Sequence, residues 1–183
     1  MAKDTENNST AMLILRCQMG DPSAFDRLVE CFQGSLLCFV SSLLGGSQGI
    51  EDVIQGIWLT VFHKISTLRN PYVFNVWFYQ IARRRVYLHL RKTRRFKHFG
   101  LAEEQVDHDY DITIEAEKEE TIERLYACLK KIKPEYREVL MLQYLEQMSL
   151  EQIANVTQCK VGTIKSRVFY AKLALKQEME RRP

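Results

Sequence analysis

Ser149-Leu-Glu-Gln-Ile-Ala-Asn-Val156, then Thr157-Gln-Cys-Lys160, then Val161-Gly-Thr-Ile-Lys-Ser-Arg-Val-Phe-Tyr-Ala-Lys172: this run, near the end of a 183-residue chain, decides the fold. Ser149 and Gln152 have the spacing of a capping box, which opens a short helix reaching Val156. A four-residue break follows, and a second helix starts at Val161. At 100° per residue, Val161, Ile164, Val168, Ala171 and Leu175 form one narrow stripe that would face a core. Gly162, Lys165, Ser166, Phe169 and Leu173 fall on the opposite side. Two short helices with a tight break and a basic outer face suggest a helix–turn–helix. In a major groove, Lys and Ser bond base edges or phosphates, and Phe can touch a thymine methyl.

Working backwards, helices account for the chain. Asp21-Pro22 starts one, and Phe25, Leu28, Val29, Phe32, Leu36, Phe39, Val40 and Leu43 recur at steps of three and four until Gly45-Gly46. Ser47 is placed to cap the next. Its apolar positions (Ile50, Val53, Ile54, Ile57, Trp58, Val61, Phe62, Ile65) exceed one stripe, so it is either buried on most sides or offers apolar surface to a partner. Asn70-Pro71 leads into a long helix to about Arg95, and further helices are expected from about Ile114 to Lys131 and from Pro134 to near Glu146. Only 12 residues are Gly or Pro, and no Asn-Gly, Asp-Gly or Gly-Pro pair occurs, which leaves little turn chemistry for a many-stranded sheet. The fold class expected is all-α: two helical domains joined by an acidic linker.

Charge divides the chain the same way. Residues 67–102 carry nine basic side chains and no acidic one, whereas residues 103–123 carry ten acidic and one basic. Residues 153–183 are basic again, seven against two. Two basic segments flanking an acidic one suggest two polyanion-binding modules, at 1–95 and 122–183, with a linker at 96–121. An anionic linker of this kind can occupy a basic groove in place of nucleic acid, or act as a charged spacer.

Several classes are disfavoured. The apolar part of the uncharged stretch, Leu36 to Leu44, is short for a bilayer, and the first ten residues lack the apolar region of a signal peptide. Five cysteines without paired spacing fit a reducing compartment, and a cytoplasmic location is expected. No catalytic constellation, metal-ligand spacing or cofactor-binding loop is recognisable, so the expectation is a non-enzyme with no metal and no cofactor.

Three blocks carry a family resemblance. Lys130-Lys-Ile-Lys-Pro-Glu-Tyr-Arg-Glu-Val-Leu140, together with the two helices quoted first, resembles region 4 of extracytoplasmic-function (ECF) sigma factors. The resemblance implies that the helix from Val161 reads the −35 promoter element, with Lys160, Thr163, Lys165, Ser166, Arg167, Phe169 and Lys172 at the DNA. Gln158 stands where the family usually has a turn glycine; a positive φ there would cost on the order of 1 kcal/mol.

Gly49-Ile-Glu-Asp-Val-Ile-Gln-Gly-Ile-Trp-Leu-Thr-Val-Phe62 is similar to the family's region 2.2, which docks on core RNA polymerase. By that likeness Glu51, Asp52, Gln55 and Trp58 bind the polymerase β′ clamp helices, with the β subunit as a further contact. Asn70-Pro-Tyr-Val-Phe-Asn-Val-Trp-Phe-Tyr-Gln-Ile-Ala-Arg-Arg-Arg85 is similar to regions 2.3 and 2.4. Six of 19 aromatics fall within Tyr72–Tyr87, interleaved with Arg, a pattern that suits single-stranded DNA because rings stack on bases while cations follow phosphates. The −10 candidates are Asn70, Tyr72, Phe74, Trp77, Tyr79, Arg83, Arg84 and Arg91, with Tyr72 and Phe74 as the flipped-base pair and Phe78 in the core. The implied function is a transcription initiation factor that binds core RNA polymerase and promoter DNA, with an anti-sigma factor as a further partner and no membrane insertion. The alternative is a stand-alone helix–turn–helix regulator, which would need neither the region 2.2 surface nor the aromatic–basic block.

Overall fold

Pro22 fixes the backbone for a first helical turn, and Asp21 before it supplies the cap: its Oδ1 accepts the Ser23 and Ala24 N–H groups at 3.0 and 3.3 Å. Arg16 closes on the other carboxylate oxygen at 2.7 Å. Ser23 and Arg16 together hold the Asp21 carboxyl down at about 2. The helix so started ends at Gly45, whose φ of 65° lets its N–H return to the Ser41 carbonyl. These features belong to a computed structural model describing residues 2–45, 49–98 and 116–181.

Eight α-helices occur among the described residues: α1 (Ala2–Gln18), α2 (Pro22–Leu44), α3 (Ile50–Lys64), α4 (Phe74–His98), α5 (Ala116–Lys131), α6 (Pro134–Leu140), α7 (Leu150–Thr157) and α8 (Val161–Glu180). Short 3-10 turns at Ile65–Thr67 and Pro71–Val73 link α3 to α4, and α6 runs into a π-turn at Met141–Leu145. No strand occurs among the described residues, as an all-α fold requires. The acidic stretch lies largely outside them, although α4 and α5 extend into both ends of 96–121. Ser47 is also outside; α3 is capped by Gly49 at φ 89° instead.

In the N-terminal half α2 is the central element, packed by α1, α3 and α4. It is long and apolar enough to cross a membrane by length and composition alone, but its inner face holds Leu28, Leu36, Phe39 and Val40 fully buried. An aromatic cluster fills the space between helices: Phe32 lies 5.2 Å from Phe74 and 5.4 Å from Phe78, edge-on, and Phe39 meets Tyr79 at 5.1 Å. In the C-terminal half α8 packs against α5, α6 and α7 over Val139, Leu142, Ile153, Ile164 and Ala171. The halves also touch each other. α4 lies against α7, and α2 against α5 and α6.

Candidate nucleic-acid and polymerase interfaces

The turn into α8 is built as the sequence suggests. Ser149 Oγ accepts the Gln152 N–H at 3.2 Å, and the Gln152 side chain accepts the Ser149 N–H at 2.9 Å, which completes the capping box. Gln158 has φ 58° and ψ 38°, so the left-handed position does carry a side chain. Its amide partly compensates by donating to the Asn155 carbonyl at 2.8 Å. On α8, Ile164, Val168 and Ala171 are buried and Leu175 is half-buried, while Val161 at the open end is exposed. Lys160, Thr163, Lys165, Ser166, Phe169 and Lys172 are all exposed, on one continuous surface. Phe169 is 64% exposed and meets Tyr170 edge-on at 5.3 Å, so its own domain core does not account for it. Arg167 is half-buried and donates to Cys159 Sγ at 3.4 Å, bracing the turn. Tyr144, which no sequence pattern singles out, stands beside this surface with Lys172 Nζ 5.2 Å from its ring centre. It lies on the π-turn, where a 3.6-residue period gives no signal.

Before α4, Asn70 caps the short turn by accepting the Tyr72 N–H at 3.0 Å, and Tyr72 projects into solvent. Phe74 does not join it. Its ring is 1% exposed, stacked on Phe78 at 5.5 Å, and therefore cannot pair with Tyr72 around a base in this conformation. Tyr79 is likewise buried, and burial drives its hydroxyl pKa far up. Trp77 is half-buried against Phe74, and Phe78 is in the core as expected. Arg84 and Arg91 are exposed. They line, with Arg83, Tyr87, Val156 and Gln158, a cleft of about 560 Å³ between α4 and α7.

On α3, Glu51, Asp52 and Gln55 are exposed, but Trp58 is not. Its indole N–H donates to Gln33 Oε1 at 2.7 Å and its ring lies 5.2 Å from Phe78, so it is a core residue with a satisfied polar edge. The surplus apolar surface sits one step further round: Leu59 and Phe62 are 59% and 60% exposed. The excess of apolar positions is readable in the sequence, but which of them face outward is not.

Comparison with known proteins agrees with this architecture. The Sigma-70 region 2 family matches residues 28–96, and the Sigma-70 region 4 family matches residues 122–175. The RNA polymerase sigma-H factor of Pseudomonas aeruginosa is 29% identical over 178 residues, covering 92% of each chain. The ECF RNA polymerase sigma-E factor of Escherichia coli K12 is 25% identical, covering 96% of this chain and 97% of that one. Among solved structures, the sigma factor RpoE in complex with the anti-sigma factor NepR from Bartonella quintana superposes with a TM-score of 0.70 at 21% identity, over 87% of this chain and 98% of that one. CnrH in complex with the cytosolic domain of CnrY gives 0.67 at 20% identity, over 95% and 99%. Both helical halves thus match one class of transcription factor. The chain belongs to the sigma-70 family, as an ECF sigma factor.

Proposed function

We propose that the protein binds core RNA polymerase in the cytoplasm and directs it to promoters, leaving the chemistry to the polymerase. The observation that carries this reading is the outward face of α8, where a 64%-exposed Phe169 sits among Lys165, Ser166 and Lys172 at the end of a helix–turn–helix. Such a face suits a major groove: Lys and Ser address base edges, and Phe a thymine methyl. Residues 122–183 then form the −35 module and residues 1–95 the core-binding and −10 module, joined through 96–121. Asp52, Gln55, Leu59 and Phe62 supply the polymerase-facing surface of α3, with Glu51 at its edge. Exposed Tyr72 with Asn70, Arg83, Arg84 and Arg91 contacts the separated −10 strand. The likeness to RpoE, solved with the anti-sigma factor NepR, supports an anti-sigma factor as a further partner here.

Run-off transcription with core enzyme and a randomised promoter library tests the reading. Enrichment of a two-part promoter motif is expected. Unprogrammed core and core plus this protein yielding the same transcripts would overturn it.

A further inference from the structure

The cleft between α4 and α7 encloses about 560 Å³, the size of a small-molecule pocket rather than of a single-ion site. Arg83, Arg84 and Arg91 line it, and no carboxylate does. Arg83 is already engaged: its Nε donates to the buried Glu138 carboxylate at 2.8 Å, and its guanidinium lies 4.6 Å over the Tyr87 ring. Arg84 and Arg91 are exposed and make no hydrogen bond or ion pair among the described residues, so their charge is uncompensated. Seven residues apart, they stand about two turns from one another on one face, or about 10 Å along the axis. Both long side chains can therefore reach one polyphosphate chain, each turning a fork of N–H donors onto phosphate oxygens.

The rest of the lining suits a ring rather than more phosphate. Leu88 and Val156 supply apolar contact. Gln80 and Gln158 both donate a side-chain N–H to the Asn155 carbonyl, at 3.0 and 2.8 Å. Each amide keeps its Oε1 to accept, and acceptors of this kind match the exocyclic amino group of a base. The two walls are held together by the core itself, since one buried apolar cluster runs across both halves. The cleft is thus formed before any ligand arrives, as small-molecule sites usually are. We propose that it binds a free nucleoside polyphosphate whose base carries an exocyclic amine, with the phosphates on Arg84 and Arg91 and the base against Leu88 and Val156. The site goes beyond the promoter reading and does not depend on it, because it takes a small ligand and not a strand.

Isothermal titration calorimetry of the full-length protein, without DNA, polymerase or divalent metal, provides the test, with ATP, GTP, UTP and inorganic tripolyphosphate as probes. ATP and GTP should bind in the micromolar range, and UTP, whose base lacks the amine, and tripolyphosphate at least about tenfold more weakly. Arg84→Ala and Arg91→Ala should each weaken ATP binding about tenfold or more, as should Gln158→Glu, which puts a carboxylate into the lining. All three positions are exposed, and thermal melts check that each variant folds. Arg85→Ala is the control. It removes the same charge from the same helix but outside the cleft, where the guanidinium lies against Gly56 and donates to Thr60 Oγ1 at 2.9 Å. It should change ATP affinity by less than about twofold, the share of general charge attraction at about 0.15 M salt. No binding of ATP or GTP at about 5 mM overturns the site. An equal loss in Arg85→Ala overturns it as non-specific attraction, and UTP or tripolyphosphate binding as tightly as ATP overturns the base contact and the nucleotide with it. Binding of a single-stranded oligonucleotide but of no mononucleotide overturns the free ligand and leaves the arginines to the promoter strand. Run-off transcription reads the promoter function separately, so the failure of one reading is distinguishable from that of the other.

Discussion

Gln158 shows what a single backbone angle decides. A left-handed φ places the side chain of a non-glycine residue near the following carbonyl, and the bond to Asn155 recovers only part of that strain. Gln158→Gly should therefore raise stability by up to about 1 kcal/mol, read as a higher melting temperature, while keeping the turn. No gain would mean the Asn155 bond offsets the strain in full. Trp58 and Phe62 make the complementary case on α3. Trp58→Ala removes a buried ring and its bond to Gln33, and should cost about 3–5 kcal/mol. Phe62→Ala, at an exposed position, should change stability little and weaken core-polymerase binding. Calorimetry and a core-binding titration on both variants separate the roles; wild-type core affinity in Phe62→Ala would remove it from the docking surface.

At the scale of elements, the helices whose ends carry chemical punctuation are legible in the sequence and the others are not. Asp21-Pro22, Pro134 and the Ser149–Gln152 box each mark an observed start. α1 gives no such signal, because its polar opening has no period, and among its described side chains Ala11, Ile14 and Cys17 are the buried ones. Phe74 and Tyr79 depart from their expected roles for a related reason: aromatic spacing says that rings are present, not which side of α4 is covered by α2. The domain seam is invisible in the sequence, since Glu138 and Arg83 are 55 residues apart and each reads as an ordinary surface charge. Function at this scale is tested by Tyr72. Loss of one base–aromatic stack costs about 1–3 kcal/mol, so Tyr72→Ala should lose activity on a closed promoter and regain much of it on a template mismatched over the −10 region. Equal loss on both templates would exclude a role in strand separation. On α8, selection of −35 sequences with Ser166→Ala and Phe169→Ala should change the base profile, whereas Lys172→Ala should weaken all sites alike.

For the whole molecule, two carboxyls buried where the helical halves meet make stability depend on pH. Burial raises the pKa of Glu138, outweighing the opposing pull of Arg83, Tyr87 and Arg167 that face it from α4 and α8. Burial also raises Glu146, against weaker opposition from Tyr79 and Ser35. A carboxyl whose pKa is higher in the folded than in the unfolded state binds more protons when folded. The contribution of these two carboxyls to stability is therefore fully present below the ordinary Glu range of about 4.3 and is lost as pH rises through the raised values. Asp21 has the opposite sign, since its contribution is present above its unfolded value and fades only as pH falls towards about 2. The Asp21 cap is therefore still charged and in place near pH 5.5. The melting temperature of the full-length protein should be higher at about pH 5.5 than at about pH 8, and Glu138→Gln with Glu146→Gln should flatten the difference. A pH response that survives both substitutions would assign it to groups away from the seam.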